Sequence, residues 1–248
     1  ITQCKNEIHN ILQRANIKLT SYLSDIYGVT GMSLLEMFID GEVITEQSLL
    51  PKIHRKVKAT AAELVEAMDG KLSFEDRFLL GQSLEHYRHL VNQIEEITVV
   101  IKQYVLERFE REYNLLIELP GVSAIVACVI LSEIGPNVEA FQSQGNLASW
   151  AGVCPGSYES AGIKKSSHTT QGNKYLKSSL FQAGGTAGRS KDEAFHNLYA
   201  RISGRSSKMK AIIACAHKMI RIIYKILSTG EHYDAKKALG LRQQARAN

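Results

Sequence analysis

Apolar residues recur along most of the chain at spacings of three and four positions, the repeat of an α-helix with one buried face. Near the start, Ile8, Ile11, Leu12 and Ala15 follow this spacing. A second such pattern begins at Leu34 and can be stopped by Gly41, and Ser73 is a good N-cap for a later helix. No stretch shows a convincing alternation of apolar and polar residues, which a half-buried strand would require. We therefore expect an all-α chain or nearly so, a helical bundle whose helices are separated by Gly and Pro.

The longest uninterrupted pattern runs from Leu84 to Glu118 and contains neither Gly nor Pro. Two seams recur at seven-residue spacing, the first through Leu84, Val91, Thr98 and Val105 and the second through Tyr87, Ile94, Ile101 and Arg108. This spacing is typical of a coiled coil. One long helix packed inside its own chain explains it equally well. At 1.5 Å per residue, the helix would be roughly 50 Å long.

The helical patterns divide the chain into four regions: 1–83, a helical linker region; 84–118, the coiled-coil-like helix; 119–233, a helical domain; and 234–248, a polar tail that we expect to be frayed. Within 119–233, a short apolar helix ends at Gly152 and another opens at Gly172 and Asn173. Gly184 and Gly185 in that second helix predict a close crossing by another helix.

A loop of about twenty residues, rich in Ser, Gly, Thr and Lys, lies between Gly152 and Gly172. A loop of this length inside a compact domain is usually functional or disordered. Hydroxyls beside cations, ahead of a helix N-terminus, are the ingredients of a phosphate site. The candidate phosphate-binding residues are Lys164, Lys165, His168, Asn173, Lys174 and Lys177. Lys174 and Lys177 oppose the dipole of their helix, which indicates a site that meets an anion.

The segment Leu119–Ser123 reads LPGVS and joins the long helix to a helix rich in small residues. Pro120 stops the first helix, and Gly121 would let the backbone approach a phosphate oxygen. The N–H groups of Ser123 and the following helix would then face that oxygen, as in a helix-hairpin-helix. Gly121 and Ser123 are therefore candidate nucleic-acid contacts. The same turn can also do no more than join two packed helices.

Charge is distributed unevenly along the chain. Of its net charge of +5, residues 155–230 carry 13 Lys and Arg against 3 Asp and Glu, whereas residues 1–154 carry 13 against 20. A block of one sign indicates a polyanionic partner, although a solvated lysine-rich face would look the same. Four widely spaced cysteines predict reduced thiols in a cytosolic protein, without a zinc site or a disulfide framework. No stretch is apolar enough to span a membrane.

Three segments, ELPGVSAIVACVILSEIG (118–135), NLASWAGVCPGSYESAG (146–162) and TTQGNKYLK (169–177), together resemble the C-terminal half of one family of insertion-sequence transposases. These transposases carry an N-terminal RuvC-like domain with a DEDD carboxylate set. They include the Piv-type DNA invertases, and members are bridge-RNA-guided recombinases. Residues 10–42 resemble the region that follows the RuvC-like domain. On this resemblance, the chain begins inside a longer protein.

The resemblance implies an enzyme, a transposase or site-specific DNA recombinase that cuts and rejoins DNA with a serine nucleophile. The family serine corresponds to Ser160, in the sequence Glu159-Ser160-Ala161-Gly162. Carboxylates and magnesium would come from the N-terminal domain, so this chain is expected to hold no cofactor and to be inactive alone. The implied partners are DNA, a guide RNA and further copies of the chain, without a membrane and in the cytoplasm.

Two other functions account for parts of the pattern. In the first, the chain is a non-catalytic module in which the turn at Gly121 and the basic half hold nucleic acid. In the second, it is a helical oligomerisation scaffold built on residues 84–118. The steepness with which binding weakens with salt separates real phosphate contacts from a scaffold that binds no nucleic acid.

Overall fold

The computed structural model describes residues 1–154, 158–160, 163–166, 169 and 171–240. Regular structure in this part is almost entirely α-helical, which confirms the predicted fold class. The chain divides into two compact units, Ile1–Ile97 and Thr98–Asn248. Each unit has its own cluster of buried apolar side chains. None of the described helices is long and apolar enough to cross a membrane.

The helices that begin in the first unit are α1 (Thr2–Arg14), α2 (Leu19–Tyr22), α3 (Val29–Asp40), α4 (Glu46–Leu49), α5 (Ala61–Ala67) and α6 (Phe74–Ile117), with a 3₁₀ turn at Leu50–Lys52. The predicted faces of α1 and α3 are buried, with Ile8 and Leu34 both fully inaccessible. Helix α3 ends at Gly41, whose φ of +68° is left-handed and favours glycine. The first helical faces and their glycine stop are therefore confirmed.

Helix α6 begins at Phe74, so the helix predicted after Ser73 and the long pattern predicted from Leu84 form one helix. The hydroxyl of Ser73 accepts a hydrogen bond from the Asp76 N–H at 3.0 Å and caps the helix, as the sequence predicts. Gly81 lies inside the helix without ending it. Its neighbours on α6 are buried in the core of the first unit, and this packing outweighs the low helix propensity of one glycine.

The two seams of α6 have different surroundings. Leu84 and Val105, from the first seam, are buried, with exposures of 1% and 6%. Ile94 and Ile101, from the second, are 52% and 47% exposed. The helix is interrupted at Phe109, where φ is −138° and ψ is 36°. The first seam therefore contributes to packing inside the chain, while the second lies at the surface at Ile94 and Ile101.

The helices that follow in the second unit are α7 (Ala124–Ile134), α8 (Gln144–Trp150), α9 (Lys174–Gly188), α10 (Glu193–Arg205), α11 (Lys208–Thr229) and α12 (Ala235–Gly240). Helix α11 is the centre of this unit and buries an apolar face that includes Cys215, Met219 and Ile223. A Cβ atom at Gly184 of α9 would lie 2.8 Å from the backbone nitrogen of Ala216. The predicted close crossing at this glycine is therefore confirmed, and α11 is the partner helix.

The polar segment after Asp234 is ordered as helix α12, so the expectation of a frayed tail is wrong for residues 235–240. Ala238 is 3% exposed and belongs to the core of the second unit. The Tyr233 hydroxyl donates a hydrogen bond to the carboxylate of Asp192 at 2.9 Å. Ala238, through its burial, and Tyr233, through its hydrogen bond, therefore order a segment whose overall composition is polar. The rest of the predicted tail, 241–248, lies outside the described residues.

A short hairpin interrupts the helical pattern between α8 and α9. Strand β1 (Tyr158–Ser160) pairs in antiparallel fashion with β2 (Ile163–Ser166). Ser160 lies opposite Ile163 and Glu159 opposite Lys164, and the register then shifts so that Lys165 is the extra residue. Strands this short and polar carry no alternation for a sequence pattern to detect.

Candidate catalytic and nucleic-acid-binding site

The two ends of the serine loop, which we define as Val153 to Gln171, are held side by side. The backbone N–H of Asn173 donates a hydrogen bond to the carbonyl of Trp150 at 2.9 Å. A Cβ atom at Gly172 would lie only 2.3 Å from the backbone nitrogen of Gly152. Both glycines have positive φ, +61° and +70°. Glycine is therefore required where the loop leaves α8 and rejoins α9. We call this contact between Gly152 and Gly172 the closed base of the serine loop.

Asn173 fixes this base to two other elements. Its amide oxygen accepts hydrogen bonds from the N–H groups of Tyr175 and Leu176, at 3.0 and 2.9 Å, and caps α9. Its amide nitrogen donates to the Glu133 carboxylate of α7 at 2.5 Å. These contacts explain the residue as a helix cap. Binding of nucleic acid by Asn173 stays a prediction.

Lys174 and Lys177 lie in the first two turns of α9, directly after the closed base. Lys174 is exposed, and its Nζ lies 4.8 Å from the centroid of the Tyr175 ring, a cation–π distance. Lys177 is half-buried. The fold therefore brings both predicted phosphate ligands to the foot of the serine loop, where Asn173 anchors the chain.

Ser160 is the last residue of β1, beside the connection to β2. Lys164 and Lys165 lie in β2, so the hairpin brings their backbone next to that of Ser160 and its predecessor. For these strand residues the structure describes the backbone. His168 lies outside the described residues, as does the connection at residues 161 and 162. The roles predicted for Ser160, Lys164, Lys165 and His168 stay predictions.

The turn at Gly121 is packed against α9. Its φ is +85°, and a Cβ atom there would lie 2.3 Å from the carbonyl oxygen of Ala183 and 2.8 Å from the backbone nitrogen of Ala187. Ser123 caps α7 by accepting a hydrogen bond from the Val126 N–H at 3.4 Å. Helix packing and capping account for both residues. Of the two interpretations of this turn, the geometry favours the packed joint, and phosphate binding by Gly121 and Ser123 stays a prediction.

The structure adds Arg221 of α11, which the sequence patterns do not single out. Its Nε donates a hydrogen bond to Oε1 of Gln144, the first residue of α8, at 3.1 Å. Its positive charge also acts to lower the pKa of the Cys154 thiol, near the start of the serine loop, and that of His217. Burial, followed by the charge of Arg221, lowers the pKa of half-buried His217 below its usual value. The only signal in the sequence is that α11 contains no acidic residue.

Three of the four cysteine thiols are not activated nucleophiles. Burial raises the pKa of Cys128 and Cys154, and it raises that of Cys215 to about 11. A thiol must ionise to attack, so these side chains are protonated and unreactive near neutral pH. All four cysteines of the chain are free.

No group of three or more His, Cys, Asp or Glu side chains that could hold a metal ion occurs among the described residues. The donor set that a magnesium ion prefers, several carboxylate oxygens around one point, is therefore not assembled in this part of the chain. The positive side chains around the base of the serine loop suit an anion.

Comparison with known proteins gives the site a context. Residues 113–200 match the family model described as the Transposase IS116/IS110/IS902 family. This range includes the turn at Gly121, the serine loop and α9. The predicted resemblance to insertion-sequence transposases is confirmed for this segment. The RuvC-like domain and the guide RNA stay predictions.

Individual relatives agree with the family match. The chain is 30% identical over 156 residues to the y4pF/y4sB protein of Sinorhizobium fredii, which is named as a transposase, an alignment over 60% of the chain and 39% of that protein. It is 29% identical over 158 residues to the pilin gene-inverting protein of Moraxella lacunata, covering 61% of the chain and 48% of that protein. A pilin gene-inverting protein of Moraxella bovis is 28% identical over the same shares. The chain spans less than half the length of these relatives.

Proposed function

We propose that this chain is the serine-loop portion of a transposase or site-specific recombinase that cuts and rejoins DNA in the cytoplasm, with Ser160 as the nucleophile. The observation that carries the proposal is the coincidence of the family match with the closed loop base. The matched range, 113–200, contains both ends of the serine loop and the helix that follows it. An enzyme that handles one phosphodiester needs its nucleophile on a segment with fixed ends, and this loop has them.

In the proposed reaction, the Ser160 hydroxyl oxygen forms a bond to a DNA phosphorus while the bond from phosphorus to one sugar oxygen breaks. The hydroxyl proton leaves through a base and ends on the departing sugar hydroxyl. The product is a phosphoserine ester, which keeps the phosphodiester energy for rejoining to a new strand. A serine hydroxyl is a weak nucleophile without such activation. Lys174 and Lys177 at the foot of the loop would offset the charge of the phosphate.

The remaining parts of the proposed enzyme lie outside this chain. Carboxylates and magnesium belong, in this proposal, to an N-terminal RuvC-like domain of a longer protein, and a guide RNA selects the DNA. One fact is consistent with that division: the curated relatives are more than twice as long as the segment they share with this chain.

We also propose that the enzyme is a homo-oligomer and that α6 contributes to its interface. Val100, Ile101 and Tyr104 of α6 are 66%, 47% and 55% exposed, and Ile125 of α7 is 57% exposed. They border an apolar groove of about 480 Å³ between α6 and α7. Ile101 belongs to the surface seam at heptad spacing, the pattern by which one helix pairs with a similar helix. A second copy of the chain supplies such a helix.

The test is to trap a covalent protein–DNA adduct. The full-length protein, with its RNA, magnesium and a labelled DNA target, would be compared with Ser160→Ala and with Ser157→Ala as the matched control. The expected result is an adduct in the wild type and in Ser157→Ala, and none in Ser160→Ala. An adduct lost only in Ser157→Ala would move the nucleophile by three positions in the same loop. Recombination that continues in Ser160→Ala without any adduct would exclude the phosphoserine route and leave a binding module.

A further inference from the structure

Helix α11 carries a line of basic and polar side chains on one face. Its 22 residues include five Lys and Arg, one His and no Asp or Glu. Positions seven, eleven and fifteen residues after Lys210 are His217, Arg221 and Lys225, a spacing that keeps them on the same side of an α-helix. We call these four residues the α11 stripe. The opposite face is buried in the core of the second unit.

The members of the stripe are accessible to a partner. Lys210 and Lys225 are exposed, and His217 and Arg221 are half-buried. Lys218, by contrast, lies outside the stripe because its Nζ donates a hydrogen bond to the Ala194 carbonyl at 2.9 Å and so belongs to the packing of α10. The helix therefore separates a lysine used inside the fold from the basic side chains that line its surface.

Arg221 is held in place rather than neutralised. Gln144 accepts from its Nε, and in the described part of the chain no carboxylate forms an ion pair with it. A half-buried cation without a counter-charge leaves a positive potential at the surface that an anion can meet. A guanidinium fixed through Nε presents its remaining donors as a planar fork, which suits the oxygens of a phosphate.

The acidic residues near the end of the stripe are already engaged. Glu231 forms an ion pair with Lys237 at 3.3 Å. Asp234 accepts hydrogen bonds from the N–H groups of Lys236 and Lys237, at 2.8 and 3.1 Å, at the start of α12. Within the described residues, Lys225 has no ion pair with either carboxylate. The positive potential of the stripe is therefore left for an external anion.

We infer that the α11 stripe binds the phosphate backbone of a DNA duplex and guides the strand to the serine loop. The inference deepens the proposed function and rests on it, because that function names DNA as the substrate. From Lys210 to Lys225 the stripe is about 22 Å long at 1.5 Å per residue, enough for several phosphates of a duplex. Arg221 connects the stripe to the loop, because its Nε donates to Gln144 of α8 and its charge reaches the Cys154 thiol in the loop.

The test measures DNA binding as a function of salt. Binding of a labelled duplex to the full-length protein would be followed by fluorescence anisotropy for Lys210→Gln, Arg221→Gln and Lys225→Gln. Lys208→Gln is the matched control, since it removes the same charge from the same helix away from the stripe. Each stripe variant should weaken binding about three- to tenfold at low salt and reduce the slope of log K against log salt by about one, for every DNA sequence alike. The control should change neither.

Several results would overturn the inference. Unchanged slopes in Lys210→Gln and Lys225→Gln would do so even if Arg221→Gln failed to fold, because both lysines are exposed. An equal loss of DNA affinity in Lys208→Gln would show that binding depends on the total charge of the helix and not on the stripe. Losses confined to an RNA probe, with DNA binding intact, would assign the surface to RNA.

The adduct assay separates this inference from the proposed function. Ser160→Ala should bind DNA with the wild-type salt slope while forming no adduct. Stripe variants that bind normally while Ser160→Ala abolishes the adduct would overturn the stripe and leave the proposed function standing. Reduced slopes in the stripe variants, together with an adduct that persists in Ser160→Ala, would keep the stripe and reject Ser160.

Discussion

The turn at Gly121 and the base of the serine loop both need a glycine with positive φ that lies against other backbone, but their surroundings differ. Gly121 and Gly172 have φ of +85° and +61°, and a Cβ atom on either would lie 2.3 Å from backbone. Gly121 meets α9 at Ala183 and Ala187, which are fully buried, whereas Gly172 is itself exposed and meets Gly152. A glycine with positive φ pressed against backbone thus serves core packing in one place and loop placement in the other.

The largest effect should come from Gly121→Ala. The new methyl group has no room against α9, and the positive φ strains any residue with a Cβ atom. Together these terms should lower the free energy of unfolding by about 3–5 kcal/mol. Urea denaturation followed by circular dichroism would measure the loss.

Gly230→Ala is the matched control for Gly121→Ala. Gly230 has φ of +68°, but a Cβ atom there would meet only the flexible end of the Arg111 side chain. Its cost should be limited to the backbone, about 1 kcal/mol. Equal losses at the two glycines would mean that packing against α9 contributes nothing at Gly121.

Gly172→Ala should damage activity more than stability. The clash is with the backbone of Gly152, which is buried, but Gly172 itself is exposed and can move away from it, so we expect a loss of about 1–2 kcal/mol in unfolding free energy. A displaced nucleophile is far more costly, and about a hundredfold drop in the rate of adduct formation is expected. Single-turnover adduct assays and urea titrations of the same protein would compare the two. A rate that falls no more than stability predicts would contradict the assigned role of the loop base.

Asn173→Ala should have an intermediate effect at the same base. It removes the cap of α9 and the hydrogen bond to Glu133, for a loss of about 1–2 kcal/mol in unfolding free energy. Asn173→Ser, which retains a capping oxygen, should recover part of it. Thermal denaturation of both variants provides the measurement. If serine and alanine are equally destabilising, the cap is not the source of the effect.

The smallest effect should come from removing the charge of Glu118, just before the Gly121 turn, where its Oε1 lies 2.7 Å from Nδ1 of His232. The hydrogen bond from His232, with a second from the Tyr233 N–H, lowers the pKa of Glu118 below its usual value. A carboxylate with a lowered pKa stabilises the fold above its ordinary titration range, and this contribution is lost as pH falls through the lowered pKa. Because both groups are exposed, it should be below about 1 kcal/mol.

Urea midpoints of the wild type and Glu118→Gln, compared between neutral and acidic pH, would test this contact. The wild type should be more stable at neutral pH, and the difference should vanish in acid. A difference that is the same at both values would show that the charge of Glu118 has no part in holding the turn.

The helices were predictable where their signals are local. Ile8 and Leu34 mark apolar faces, Gly41 ends a helix and Ser73 starts one, and all follow from spacing or capping within a few residues. The hairpin and α12 were not, because their stability comes from partners. The strands pair with each other, and α12 is held by the burial of Ala238 in a distant core.

The candidate site was predictable in outline only. The loop and the helix that follows it stand out in the sequence, and the structure adds that Gly152 and Gly172 touch. A glycine pattern cannot say whether a phosphate or another backbone requires the missing side chain, and at Gly121 it is the backbone of α9. Arg221 looks like any cation on an amphipathic helix until the fold brings it to Gln144.

The closed base of the serine loop makes that segment interchangeable. Since Gly152 and Gly172 already lie against each other, the scaffold does not depend on the length of chain between them. Each doubling of a flexible loop costs only about 0.6 kcal/mol in closure entropy. The segment can therefore be exchanged as a unit. A loop transplanted from a relative between these two glycines should leave the helical core intact while it changes the side chains available for chemistry.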